Sequence, residues 1–176
     1  MRLRLIRHRP HTRALTVTDD GLLAARRWRL LRLDTSGGRQ QLGRLPVGPR
    51  RRLVAHLPPL ARALRLRVLH LQPLPSGTLI ATTGDAVWRA EPGGPFEVVH
   101  PFDNGKPNSE GLCLDADGRV VFGEYLLNRD RLAAVHVHAS RDDGRHYEVI
   151  HRFEPGRIRH VHSVQRDPAD GALWIA

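Results

Sequence analysis

Lysine is all but missing from this chain: of its 28 basic residues, Lys106 is the single lysine and the others are arginine. Cysteine is as scarce. Cys113 stands alone, which excludes an intramolecular disulfide and a thiolate-rich metal site. It lies in the apolar run Gly111-Leu112-Cys113-Leu114 and reads as a small buried thiol. Aromatic residues make up 5% of the chain and are dispersed, too few to form a platform for stacking nucleic-acid bases. No apolar run approaches the roughly 20 residues that cross a bilayer. The opening Met1-Arg2-Leu3-Arg4-Leu5-Ile6-Arg7-His8 carries charge but no apolar segment and no small-residue cleavage site, so it does not read as a secretory signal. The expectation is a cytoplasmic protein with neither a membrane nor a nucleic-acid partner. The net charge of +10 is then a solvated arginine surface, with Arg50-Arg51-Arg52 as its one tight cluster.

What the sequence does have is a recurring phrase. Apolar residues lead into a polar turn ending in glycine, and apolar residues follow. The phrase appears as ALTVTDDGLLA from Ala14, LHLQPLPSGTLIA from Leu69, GLCLDADGRVVFG from Gly111 and HSVQRDPADGALWIA from His162, where it breaks off at Ala176. The closing glycines Gly21, Gly77, Gly118 and Gly171 recur at about 40 to 55 residues, the period of a propeller blade.

The third unit shows the blade plan most clearly. An inner strand at 111–114 is followed by the turn Asp115-Ala116-Asp117-Gly118 and a second strand from Arg119 to Glu124. The alternating AVHVHA from Ala134 to Ala139 gives a third strand, and Tyr147 to Phe153 a fourth. The fold class expected is therefore all-β: an incomplete β-propeller of four-stranded antiparallel blades, about three blades and the start of a fourth. The blades are placed at about 14–45, 68–100, 111–153 and 160–176, with an insertion at 50–67. In that insertion Leu53, Leu57, Leu60 and Leu64 recur at helical spacing, but Pro58-Pro59 interrupts them, so a loop with a short helix after the prolines is expected. An unclosed ring leaves an open edge, through which self-association is expected.

One turn carries a more specific pattern. Ser140-Arg141-Asp142-Asp143-Gly144-Arg145-His146-Tyr147 resembles the Asp-box, Ser-x-Asp-x-Gly-x-x-aromatic, of sialidase-like BNR propellers, with His146 where a threonine is usual. With Phe122-Gly123-Glu124-Tyr125 and the stretch Arg157 to Gln165, the second half of the chain is similar to microbial BNR/WD40-like propellers, some labelled glycosyl hydrolases. The resemblance implies that Ser140, Asp142, Gly144 and Tyr147 are structural, on an outer turn of a blade. It further implies a carbohydrate ligand, bound or hydrolysed at the opposite, top face.

Blade topology puts the connections 101–110, 125–132 and 154–160 on that top face. They and the strand ends beside them supply the candidate catalytic residues Glu110, Glu124, Tyr125, His160 and His162, and the candidate substrate-binding residues Asn108, Arg129, Arg157 and Arg159. Glu124-Tyr125 has the composition of a sialidase nucleophile pair, but neighbours on a strand point to opposite faces. Glu110 with Asp103 is a carboxylate pair of the acid–base kind. His160 and His162, two apart, share a face and suit base chemistry or a metal-assisted polysaccharide lyase. No metal ligand set completes itself in the sequence, so no metal and no cofactor is assigned. His136 and His138 are read as solvated on an outer strand. The alternative to an enzyme is a non-catalytic propeller that scaffolds protein interactions.

Overall fold

The computed structural model describes residues 12–54, 67–103 and 105–176. Among these residues fourteen strands follow one another in chain order. The first sheet contains β1 (Thr12–Thr18), β2 (Gly21–Arg26), β3 (Arg29–Leu33) and β4 (Arg39–Arg44). A short helix α1 (Pro49–Val54) precedes the second sheet, β5 (His70–Pro73), β6 (Leu79–Thr82), β7 (Ala86–Ala90) and β8 (Glu97–Pro101). The third contains β9 (Leu112–Leu114), β10 (Val120–Gly123), β11 (Val135–Ser140) and β12 (Glu148–Phe153). The two-stranded β13 (Val164–Arg166) and β14 (Leu173–Ile175) complete the order. Each sheet is an antiparallel meander whose spatial order is its sequence order. The chain is thus an all-β, propeller-type stack of three full blades and one two-stranded sheet. Among the described residues no helix is long and apolar enough to cross a membrane.

The cores lie between blades, because the middle strands of each full blade are apolar on both faces. Leu23, Leu30 and Leu45 of the first blade pack against Leu71, Ala81 and Trp88 of the second. Ile80 and Val87 of the second meet Val120 and Phe122 of the third. The opposite face of the third, Val121, Val135, Val137 and Ala139, packs against Val161 and Val164. A central strand covered on both sides reads as a continuous apolar run, as Val120-Val121-Phe122-Gly123 does. The outer strands β4, β8 and β12 are mostly exposed.

Each full blade has a bulge at the same place, between its third and fourth strands. The outer strand holds one extra residue, Leu42, Val99 or Ile150 in turn, which bends it and increases the local twist. This register defect repeats although the sequences around it do not.

The insertion holds a helix ahead of the prolines that was not expected from the sequence. The helix, Pro49–Val54, comes before Pro58-Pro59; the segment after those prolines, where a helix was expected, lies outside the described residues. Proline at the first position of α1 explains the placement, since its fixed φ starts a helix and its missing N–H has no partner there to lose.

Candidate functional site on the top face

Tyr125 is the centre of the top face. It leaves the end of β10, and its N–H donates to the Lys106 carbonyl at 2.7 Å, so two top connections are laced together. Its ring centroid lies 4.1 Å from that of His160 and 5.4 Å from that of His162. A hollow opens on either side of it. One is lined by Arg67, Leu69, Lys106, Pro107, Asn108 and Ser109, the other by Leu126, Leu127, Asn128, Arg129, Arg159 and His160. The second owes its shape to buried Asn128, whose amide donates to the Ala133 carbonyl at 2.9 Å and accepts from the Ala133 N–H at 3.1 Å.

The two histidines form a directed pair. His160 Nδ1 lies 3.2 Å from the Leu126 carbonyl, which can only accept, so Nδ1 carries the proton and Nε2 keeps a lone pair. That Nε2 stands 2.9 Å from His162 Nε2. Two lone pairs would repel, so His162 carries its proton on Nε2 and donates it to His160. The exposed His162 is left with a free Nδ1 lone pair, the position of a general base. Partial burial lowers the basicity of His160; the Leu126 carbonyl opposes this, while His162 and Arg159 add to it. The shift favours the neutral ring, whose Nε2 is able to accept.

Glu124 does not join this site. Its side chain turns to the other face of the blade and meets two histidines of β11. Oε2 accepts from the His136 backbone N–H at 2.8 Å and lies 3.0 Å from His136 Nδ1, while Oε1 lies 3.1 Å from His138 Nε2. Burial works to raise its pKa, but the bond to His138 and those to His136 outweigh it and hold the carboxyl below the ordinary value. His136 and His138 are consequently not the solvated pair the sequence suggested. β11 is an interior strand of its blade, and its face towards the second blade is covered; the His138 ring stacks on Phe122 at 4.8 Å and 13°. The His-x-His alternation told only that the two rings share a face, not that the second blade covers it.

The other candidates scatter. Asn108 and Arg129 line the two hollows, one each, and Arg159 lines the second with Arg129, whose carbonyl it approaches at 3.5 Å. Arg157 is exposed and lines neither. Glu110 is exposed, its carbonyl accepting from Val164 N–H at 3.0 Å and its backbone bridged to Ser163. Asp103 is exposed on the same connection. Cys113 is half-buried, and burial, with Asp115 adding to it, pushes its thiol up to about 11, so it remains protonated and unreactive.

At the bottom, the turn between β11 and β12 is tied by its own side chains. Ser140 Oγ donates to Asp142 Oδ1 and accepts from Gly144 N–H, each at 2.9 Å, and Asp142 Oδ1 accepts the His146 N–H at 2.9 Å. Burial opposes it, but the bonds from the His146 backbone and ring and from Ser140 bring Asp142 down to about 2. Gly144 has φ 80°, and a Cβ there would strike the Ile80 side chain of the neighbouring blade. Tyr147 anchors the next strand between His100 and Phe122, with ring centroids at 5.4 and 5.5 Å.

No family profile matches the sequence, and no curated protein matches it. Solved structures do match in fold. A catalytically inactive virginiamycin B lyase from Staphylococcus aureus with quinupristin aligns at TM-score 0.57 and 16% identity, over 99% of this chain and 51% of its own. The selenomethionine form of virginiamycin B lyase from Staphylococcus aureus gives 0.58 and 17%, over 94% and 52%. A gluconolactonase-like protein gives 0.53 and 17%, over 94% and 58%. The chain spans about half the length of the solved structures it matches.

Proposed function

We propose that the top face binds an oxygen-rich, carbohydrate-like ligand and acts on it as a lyase, with His162 as the base. The observation that carries this reading is the His160–His162–Tyr125 cluster: a base with a free lone pair, held in one tautomer, beside a phenol. In a β-elimination His162 Nδ1 takes the proton next to a carboxylate or carbonyl, the electron pair forms the new C=C bond, and the C–O bond beyond it breaks. Tyr125 gives its phenolic proton to the departing oxygen, and the proton taken up by His162 returns through water to the tyrosinate, so base and acid are both restored. Arg129 and Arg159 flank the cluster with the positive charge that an acidic sugar or developing enolate needs. That a lyase and a gluconolactonase-like protein share the fold agrees with such a use of the top face; it supports the reading at the level of architecture.

The sialidase-type reading finds less support. It needs a tyrosine and a glutamate on one face, and Glu124 faces away from Tyr125 into the blade interface. Glycoside hydrolysis by paired carboxylates would rest on Glu110 and Asp103, which are both exposed and whose carboxylates no hydrogen bond orients among the described residues. A scaffold reading has one observation in its favour: Leu127 and Leu132, on a single top connection, are 86% and 80% exposed.

The test is a screen of uronate-containing oligosaccharides for the ultraviolet absorbance of a new conjugated double bond, run on the whole protein and on His162→Ala. The reading expects turnover that falls about 10²- to 10⁴-fold in the variant. Turnover unchanged by His162→Ala, or binding with no elimination, rejects it.

A further inference from the structure

We propose that Glu124, His136 and His138 form a binding site for a first-row divalent cation, zinc above all, in the interface between the second and third blades. This site is separate from the His160–His162 cluster and does not depend on the lyase reading.

Three features carry the assignment. The donor atoms of the three side chains all lie within 4.8 Å of one another, close enough for a single ion to take two imidazole nitrogens and a carboxylate. The side chains are half-buried or buried, with 13%, 27% and 11% of their surface exposed, so the ion is shielded yet has a route in past His136. The donors are also fixed beforehand. His138 is stacked on Phe122, His136 is tied to the carboxylate through its own backbone N–H, and Gly105 leaves room for Glu124: a Cβ at Gly105 would sit 2.7 Å from the Glu124 Cβ. An ordinary ion pair needs one histidine for one carboxylate. Here one carboxylate collects two rings, with one oxygen for each.

Binding requires each ring to present a lone pair where it now presents a proton to the carboxylate. A neutral imidazole does this by changing tautomer, so the proton moves to the outer ring nitrogen and no net charge change occurs on the protein. Two nitrogens and one or two oxygens leave further coordination positions to water, and the mixed donor set favours zinc, cobalt and nickel over magnesium and calcium. The ion would brace the end of β10. Glu124 N–H donates to the His136 carbonyl and its carbonyl accepts from Val161 N–H, so the segment bearing Tyr125 runs directly from the site.

The experiment titrates chelator-treated whole protein with Zn²⁺ by calorimetry, and with Co²⁺ in the visible spectrum. The expected result is one ion per chain and cobalt d–d bands of nitrogen–oxygen coordination. Binding should weaken at least about tenfold in His136→Gln, which alters a partly exposed side chain, and in Glu124→Gln, which keeps its shape. It should be unchanged in the double variant His160→Ala/His162→Ala. Zn²⁺ should raise the melting temperature of the wild type and of that double variant but not of His136→Gln. No stoichiometric binding, binding that survives both His136→Gln and Glu124→Gln, or binding lost only with His160 and His162 overturns the proposal. Loss of elimination activity in His162→Ala alongside intact zinc binding keeps the two readings distinguishable.

Discussion

Asp143, in the bottom turn of the third blade, accepts a hydrogen bond from Thr78 of the second blade at 2.6 Å, a link across 65 residues of chain. The same carboxylate accepts from Ser76 and pairs with Arg89 at 2.9 Å. Arg89 also donates to the Asp143 carbonyl at 2.8 Å. The turn is thus bolted to its neighbour by one side chain, and Asp143 takes φ 61° to make the reach. Burial would raise its pKa, but the bonds from Ser76, Thr78 and Arg89 hold it below the usual value.

Asp143→Ala takes the carboxylate from Arg89, whose side chain is 10% exposed, and the acceptor from the buried Thr78 hydroxyl. The expected cost is about 2–4 kcal/mol of folding free energy. Urea unfolding of the wild type and variant measures it. Asp142→Ala, which removes bonds within the turn but none between blades, should cost less. An equal or smaller loss in Asp143→Ala shows that the cross-blade bolt is energetically idle.

A second prediction concerns His70, 8% exposed on the inner strand of the second blade, with Nδ1 paired to Thr82 Oγ1. Burial brings its pKa down from 6.5 to about 4; the Ser109 and Asn108 carbonyls oppose this and Arg13 reinforces it. The folded chain therefore keeps the ring neutral where the unfolded chain protonates it. Between those two values the unfolded state binds more protons, so stability falls as pH drops from about 6.5 to about 4, by about 3 kcal/mol in all. Denaturant midpoints across that range should show the slope in the wild type and a flatter one in His70→Gln. Titration of the His70 ring by NMR near the ordinary histidine value would contradict it.

The sequence made the blades legible because a meander is local: glycine-closed turns and alternating apolar runs need no long-range information. The interior position of β11 was not legible in the same way. Whether the face bearing His136 and His138 meets water depends on the second blade, which packs from more than 30 residues away along the chain. Glu124 and Tyr125 could be separated by strand alternation alone, and the structure places them on opposite sides accordingly. The pairing of Tyr125 with His160 and His162 could not be read, since the connection that bears them, just ahead of β13, reaches Tyr125 only through the stacking of whole blades.

Asn128 offers a third prediction, on the shape of the top face. Its amide closes a loop with Ala133 through two bonds, and its carbonyl accepts from Arg131 N–H at 3.2 Å. Asn128→Ala leaves the Ala133 N–H and carbonyl without this partner, at an expected cost of about 1–3 kcal/mol. Because the loop carries Arg129 and the wall of one hollow, ligand affinity should fall more than stability does. Asn128→Asp keeps one of the two side-chain bonds, to Ala133 N–H, and should fall between. Equal ligand binding by all three proteins would separate the hollow from the ligand.

The last prediction follows from the direction of the histidine pair. Neutral His160 accepts the His162 Nε2 proton, and partial burial lowers its pKa, which favours that neutral form. When His160 does take up a proton, its Nε2 becomes a donor facing another donor. The pair then breaks, and His162 loses the orientation that exposes Nδ1. Activity should therefore be constant at neutral pH and decline on an acid limb whose midpoint belongs to the coupled pair. In His160→Ala the Nε2–H of His162 has no fixed acceptor, so kcat should fall about tenfold or more while KM changes little, because the lost function is tautomer control. His160→Gln, whose side-chain carbonyl can accept that proton, should recover part of the loss and shift the acid limb. If His160→Gln is no better than His160→Ala and the limb stays in place, His160 acts through packing against Tyr125 rather than through the proton it accepts.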